Sequence, residues 1–207
     1  MAVIANRRAA IVLFSGASDM YSHRVRIVLA EKGVEFDCVD VRPGERVEDL
    51  IELNPYNEVP TLADRDLTLY DSMVIMNYLD ERFVHPPLMP LDPTSRATHR
   101  LLLYRIQRDL CAPADTVLYG TEKQAAKARK ELRDNLLASL PVFEAKPYFM
   151  SDDFSLVDCM LLPLLWRLPV LGIELPKQAG ALQGYMERLF RRASFKLSLS
   201  ENEQEMR

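Results

Sequence analysis

The sequence predicts an α/β domain followed by an all-helical domain, and three observations predict it. The first 84 residues alternate short apolar runs with amphipathic stretches in the order β-α-β-α-β-β-α. Residues 84–93, Val-His-Pro-Pro-Leu-Met-Pro-Leu-Asp-Pro, then hold four prolines in ten positions, which precludes a helix and favours a stiff, extended path. Beyond them the apolar pattern is helical to the end of the chain. Residues 1–84 are therefore assigned to the first domain, 85–93 to a proline-rich linker and 94–207 to the helical domain. A chain of 207 residues has room for one or two domains and a sizeable core.

Each element has its own local reason. Residues 1–8 read as a loose tail. Ala10-Ile11-Val12-Leu13-Phe14 is a continuous apolar run closed by Ser15-Gly16, the pattern of a buried central strand. Residues 22–32 carry Val25, Val28 and Leu29 on one helical face, with Gly33 as the stop. Residues 36–41 form a second strand, broken by Pro43-Gly44. Residues 47–53 form a short helix that ends before Asn54-Pro55. Two strands around the turn Asp64-Arg65-Asp66 follow, then a helix over 72–83 with Val74, Ile75, Tyr78 and Leu79 expected to face inward. This order is that of a thioredoxin-like module. In the second domain a long helix runs from Arg96 to about Tyr119, with Pro113 expected to kink it. An amphipathic helix extends from Thr121 to about Phe143. Residues 155–168 are apolar nearly all round, which marks the buried centre of this domain. Ser155-x-x-Asp158 at its start is a capping-box variant, with Phe154 and Cys159 placed as a hydrophobic staple. Residues 178–192 make a last amphipathic helix, and 198–207, with Glu201, Glu203 and Glu205, read as frayed and solvated.

Composition excludes several classes of function. Lys+Arg 26 against Asp+Glu 30 gives a net charge of −4, the wrong balance for a general polyanion binder. Cys38, Cys111 and Cys159 are far apart, with no Cys-x-x-Cys and no metal-ligand spacing, as suits a reducing cytosol. No stretch approaches the ~20 apolar residues of a membrane span. The apolar run after Arg7-Arg8 is too short for a signal peptide and lacks a cleavage site. The clusters Arg129, Lys130, Arg133 and Arg188, Arg191, Arg192 read as solvated helix faces.

Residues 54–72 hold the most informative stretch. Pro60 stands at the first residue of a strand, where no ladder N–H is required. A cis Val59-Pro60 bond would turn the Val59 backbone outward, free to pair with an extended, peptide-like ligand. Ser72 would add a hydroxyl and helix N-terminal amides, a site for a carboxylate. An architectural role stands beside that reading: Pro60 fixes the strand entry and Ser72 caps its helix.

Val-Pro-Thr followed by Asp71-Ser72 resembles the glutathione-binding half of the glutathione transferase fold. Four segments carry a closer resemblance: Ser22-His23-Arg24-Val25-Arg26-Ile27-Val28-Leu29-Ala30-Glu31-Lys32-Gly33, Leu79-Asp80-Glu81-Arg82-Phe83, His85-Pro86-Pro87-Leu88-Met89-Pro90 and Phe154-Ser155-Leu156-Val157-Asp158-Cys159. In that order they are similar to the stringent starvation protein A family, RNA-polymerase-associated bacterial regulators built on the transferase fold. The resemblance covers nearly the whole chain.

The resemblance implies a homodimeric, cytoplasmic, starvation-induced transcription regulator. It would bind RNA polymerase holoenzyme and sigma factor, with no membrane association and no direct sequence-specific DNA binding. The family's exposed Pro-His-Pro motif falls on Val84, His85 and Pro86, with Val84 a departure at the first position; Pro87 and Leu88 continue the patch. A rigid apolar loop loses little entropy on docking. The alternative is a plain linker that holds two domains apart. The resemblance also places Asp19 where transferases carry the residue that activates the thiol. A carboxylate beside a nascent thiolate raises the thiol pKa, so catalysis is not expected and no cofactor is implied. Val59, Pro60, Asp71 and Ser72 become a vestigial ligand half-site, where glutathione is conceivable but not expected. Asp71 replaces the usual Glu or Gln and is one methylene shorter. The rival is a glutathione-dependent enzyme that uses Ser18, Tyr21 or Ser22, the last of which is equally placed to cap the first helix.

Overall fold

The computed structural model describes residues 11–207, so the expected tail at 1–8 lies outside the described residues. The chain divides into two compact units. One runs to Pro86 and is rejoined by Ala193–Glu205; the other comprises Pro87–Arg192 and Met206–Arg207.

The first unit has the expected α/β architecture. Strand β1 (Ile11–Ser15) is buried along its whole length at the centre of a four-stranded sheet of order β2-β1-β3-β4. It pairs in parallel with β2 (Asp37–Asp40) and antiparallel with β3 (Thr61–Asp64), so that Leu13 lies opposite both Cys38 and Leu62. Strand β4 (Leu67–Tyr70) closes a hairpin with β3 through Arg65, which adopts φ +57°. Val12, Phe14, Val41, Leu50 and Ala63 form a core on which Val39, Val47, Leu53 and Val59 pack. Leu50 comes from the short helix α2 (Glu48–Leu53).

Helix α1 (Met20–Glu31) begins two residues earlier than the apolar pattern predicts, because Asp19 is its N-cap. Its stop is as expected: Lys32 closes it and Gly33 turns at φ +61°. Helix α3 (Ser72–Arg82) buries Ser72, Ile75, Met76, Leu79 and Asp80. That is an i, i+3, i+4, i+7, i+8 stripe, the face a helix turns to its neighbours. Val74, expected inside, lies off the stripe and is 49 % exposed.

The C-terminal segment departs most from expectation. Residues 193–205 belong to the first unit, with α10 (Ala193–Ser198) packed on α1 and α11 (Glu201–Gln204) capped by a reciprocal Ser200–Glu203 box. Glu203 is wholly buried, its carboxylate 2.7 Å from the Arg26 guanidinium and 3.4 Å from His23 Nδ1. Arg26 Nε also donates to the Ser198 carbonyl at 2.9 Å. The segment is folded rather than frayed because burial of Arg26 requires a counter-charge, and Glu203 supplies it.

The second unit is helical throughout. Helix α4 (Pro93–Ile106) continues through a π-helical turn (Gln107–Cys111) into α5 (Ala112–Tyr119). The turn is the form that the Pro113 disturbance takes. Proline has no N–H for the carbonyl of Asp109 four residues back, and that carbonyl instead accepts from Asn135 Nδ2 at 2.8 Å. Helix α6 (Glu122–Ala138) stops at Ser139, and a separate α7 (Leu140–Ala145) starts with Pro141 in its first turn, so the single helix expected to about Phe143 is two.

The all-apolar segment is α8 (Leu156–Trp166), buried from Leu156 through Leu165. The expected capping box forms: Asp158 Oδ2 accepts from the Ser155 N–H at 2.9 Å and the Ser155 hydroxyl at 3.1 Å. Its Oδ1 accepts from the Phe149 N–H at 2.9 Å and from the Tyr185 hydroxyl on α9 (Gly180–Phe190) at 2.6 Å. Burial outweighs these hydrogen bonds and lifts the Asp158 carboxyl above its ordinary range. Burial first, and then the Asp158 charge, push the Tyr185 phenol well above its ordinary range. The sign follows. A phenol held protonated in the folded state stabilises the fold fully below the unfolded-state value, and that stability is lost as pH rises. The unfolding free energy should therefore fall by about 1.4 kcal/mol per pH unit above about pH 10. Tyr185→Phe should remove that slope and cost about 1–3 kcal/mol at pH 8. Urea unfolding of both proteins between pH 8 and 11 checks it, and equal slopes would contradict the assignment.

Candidate functional site

Two places collect the residues singled out in the sequence. The first is the half-site expected around Val59, Pro60, Asp71 and Ser72. Gly16 allows the β1–α1 loop to close: a Cβ added there would stand 2.8 Å from Asp19 Cβ and 3.4 Å from Val59 Cγ2. The loop and the turn before β3 are thus brought together, and the Val59-Pro60 bond in that turn is cis.

The Asp19 carboxylate is engaged at the start of α1. Oδ2 accepts from the Ser22 N–H at 2.6 Å and from the Ser22 hydroxyl at 2.7 Å. Ser22 in turn accepts from the Gly16 N–H at 3.0 Å and is wholly buried. A hydroxyl has one proton to give, and that of Ser22 goes to Asp19. It cannot also be offered to a thiolate. The N-cap of α1 is therefore Asp19 and not Ser22. The Tyr21 ring lies beneath the Arg24 guanidinium, 4.6 Å from its centroid.

The end expected to take a carboxylate differs in detail. Asp71, not Ser72, caps α3: it adopts φ +72°, and its Oδ1 accepts from the Met73 and Val74 N–H groups at 2.9 and 3.1 Å. Ser72 is buried inside the first turn, with Arg24 Nη1 3.4 Å from its hydroxyl. The half-site thus pairs a hydroxyl with a buried guanidinium. In the sequence Arg24 stands only within the 22–33 segment that carries the resemblance, with no role of its own.

The second place is the proline-rich segment. Val84 is 58 % exposed, and His85, Pro86 and Pro87 are exposed as well. The His85-Pro86 bond is cis. Leu88 corrects the expectation of a continuous exposed patch. It is 2 % exposed, and its carbonyl accepts from the Leu156 N–H at 2.9 Å, so it belongs to the core of the second unit. Polar anchors hold the first-unit part of the segment. Arg82 Nε lies 2.6 Å from Asp64 Oδ2, with its guanidinium over the Phe83 ring at 5.3 Å. Tyr78 donates to the same Asp64 oxygen at 2.6 Å. Lys32 Nζ lies 2.7 Å from Asp80 Oδ1 and donates to the Pro86 carbonyl at 2.5 Å. Sequence spacing gave no signal for Lys32 or Asp80, since they meet across 48 positions.

The basic clusters are partly engaged within the second unit. Arg129 Nε donates to the Leu171 carbonyl at 2.7 Å, and Arg192 lies 4.1 Å from the Phe154 ring centroid. Among the described residues no three His, Cys, Asp or Glu side chains gather where they could hold a metal ion, and no helix is long and apolar enough to cross a membrane.

Comparison with known proteins matches residues 20–82 to the family described as "Glutathione S-transferase, N-terminal domain" and residues 76–193 to "Glutathione S-transferase, C-terminal domain". The chain is 53 % identical over 202 residues to the stringent starvation protein A homolog of Coxiella burnetii, covering 97 % of each chain. It is 50 % identical to the homolog of Haemophilus ducreyi, over 96 % of this chain and 94 % of the other. Among solved structures, glutathione transferase Omega 3C from Trametes versicolor superposes with a TM-score of 0.82 at 25 % identity, over 94 % of this chain and 86 % of that one.

Proposed function

Since the chain belongs to the stringent starvation protein A family within the glutathione S-transferase superfamily, we propose that it is a starvation-response regulator of transcription. It docks on RNA polymerase holoenzyme and sigma factor through Val84, His85, Pro86 and Pro87, and it performs no transferase chemistry. The observation that carries this reading is the exposure of those four residues on a segment whose ends are anchored. Such a surface loses little entropy on binding. The commitment of the Ser22 proton to Asp19 supports the non-catalytic part. The protein works as a cytoplasmic homodimer. Leu67, Tyr70 and Val74, exposed on β4 and α3 of the first unit, support pairing.

The test is a pull-down of polymerase holoenzyme with His85→Ala, Pro86→Ala and Pro87→Ala combined. Recovery should fall at least about tenfold, the loss of roughly 1.4 kcal/mol or more of binding free energy. Recovery equal to wild type counts against this surface.

A second reading, a glutathione-binding enzyme, is favoured by one observation: the Ser72 hydroxyl at the start of α3 lies 3.4 Å from the Arg24 guanidinium, in a unit whose Val59-Pro60 bond is cis. Retention on immobilised glutathione, with turnover of an electrophile at neutral pH, would favour this reading over the first.

A further inference from the structure

Lys32 is a buried cation at the C-terminal end of α1, paired across to α3. Its side chain is 0 % exposed, and that of Asp80 is 5 % exposed. Removing an ammonium and a carboxylate from water costs several kcal/mol per ion, and a well-packed apolar pair often does better. A buried ion pair is therefore weak evidence of stabilisation. In some proteins such a pair instead fixes one conformation among several.

An ammonium has three protons to place, all in different directions. One goes to Asp80 Oδ1 at 2.7 Å. Another goes to the carbonyl of Pro86 at 2.5 Å. That carbonyl sits on an exposed segment, outside any helix or strand. Lys32 closes the C-terminal end of α1, and Asp80 lies in the last turns of α3. Lys32, held by Asp80, thus ties one backbone oxygen of the proline corner to the end of α1. On the other side, the Arg82–Asp64 pair fixes the end of α3 from which the segment leaves. Val84 and His85 lie between these two anchors.

We infer that Lys32, with Asp80, is a positioning residue for partner docking: the pair splints the Val84-His85-Pro86 turn in the geometry that a protein partner reads. The inference rests on the docking role proposed for this corner. Its physical content is preorganisation. A segment free to move before binding loses that freedom on docking, and the splint removes the cost in advance.

The test uses Lys32→Met/Asp80→Leu, which replaces the ion pair by apolar side chains of similar size and removes the donor to Pro86. The unfolding midpoint should stay near that of wild type, since such replacements are commonly neutral or stabilising. Should the double variant lose its cooperative melt, Lys32→Gln/Asp80→Asn serves in its place, because glutamine is too short to reach both partners. Two readouts follow. In the free protein, the backbone order parameters of the Val84 and His85 amides should fall from about 0.85 to below about 0.6, while that of Leu13 in the central strand is unchanged. Recovery of polymerase holoenzyme should fall by about tenfold or more. Unchanged order parameters at Val84 and His85 overturn the inference. So do lowered order parameters with full polymerase recovery, if the His85, Pro86, Pro87 alanine variant does lose polymerase. If neither variant loses polymerase, the docking reading of the corner fails, and the order parameters alone decide whether Lys32 is a splint.

Discussion

Asp158→Ala should lower stability by about 3–5 kcal/mol, the largest effect expected of a single substitution in the second unit. The carboxylate is the common acceptor for two backbone N–H groups, of Phe149 and Ser155, and for the Ser155 and Tyr185 hydroxyls. All four donors are buried. Alanine leaves them without that acceptor, at about 1–3 kcal/mol for each group that cannot find another. It also dismantles one half of the α8 cap, worth about 0.5–2 kcal/mol. The sum exceeds the expected total because Ser155 still caps through Val157 and the cavity can relax. Asp158→Asn keeps the shape and one acceptor, so about half the loss is expected. Urea unfolding at pH 7 measures both. A loss under about 1 kcal/mol for alanine would mean that this carboxylate does not organise the helical unit.

Glu203→Ala should be comparably damaging to the first unit, at about 3–5 kcal/mol, because it leaves a buried guanidinium without its counter-charge. The Arg26 side chain is 8 % exposed and that of Glu203 0 %, so water does little to screen the pair. His23, at 3.4 Å from the other carboxylate oxygen, loses its neighbour as well. The companion Arg26→Met/Glu203→Leu should recover most of the loss, since the cost lies in the orphaned charge and not in the missing attraction. Limited proteolysis near residues 199–205, with denaturant unfolding of single and double variants, separates the two cases. A double variant as unstable as Glu203→Ala would show that the packing of α11, not the charge, fixes the segment.

Local patterns carried the fold class. Apolar continuity marked β1, Pro60 marked a strand entry, and Ser155 with Asp158 announced the buried helix three positions apart. Each of these signals lies within a few residues of its effect. What could not be read depended on partners far away in the chain. The polar run at 198–207 looked solvated because nothing near it hinted at Arg26, 177 positions earlier. Pro113 was read as a kink, but the form of the break depends on Asn135, on another helix. In the sequence Asp19 bears on a ligand through its charge and Asp71 through its reach, whereas the structure also uses each as a helix cap. A short acidic side chain serves either purpose, and the sequence does not separate them. Adjacency groups Leu88 with its proline neighbours, though its side chain is committed to the core.

The long separation between Arg26 and Glu203 has a consequence for biosynthesis. A nascent chain emerging from the ribosome completes the βαβ portion and the hairpin early, but the carboxylate that Arg26 needs is encoded 177 codons downstream. At about 5–20 residues per second, that leaves on the order of 10–35 s in which the N-terminal module is translated but unfinished. Its last step of closure should therefore follow synthesis of the helical unit instead of preceding it, the reverse of the usual vectorial order.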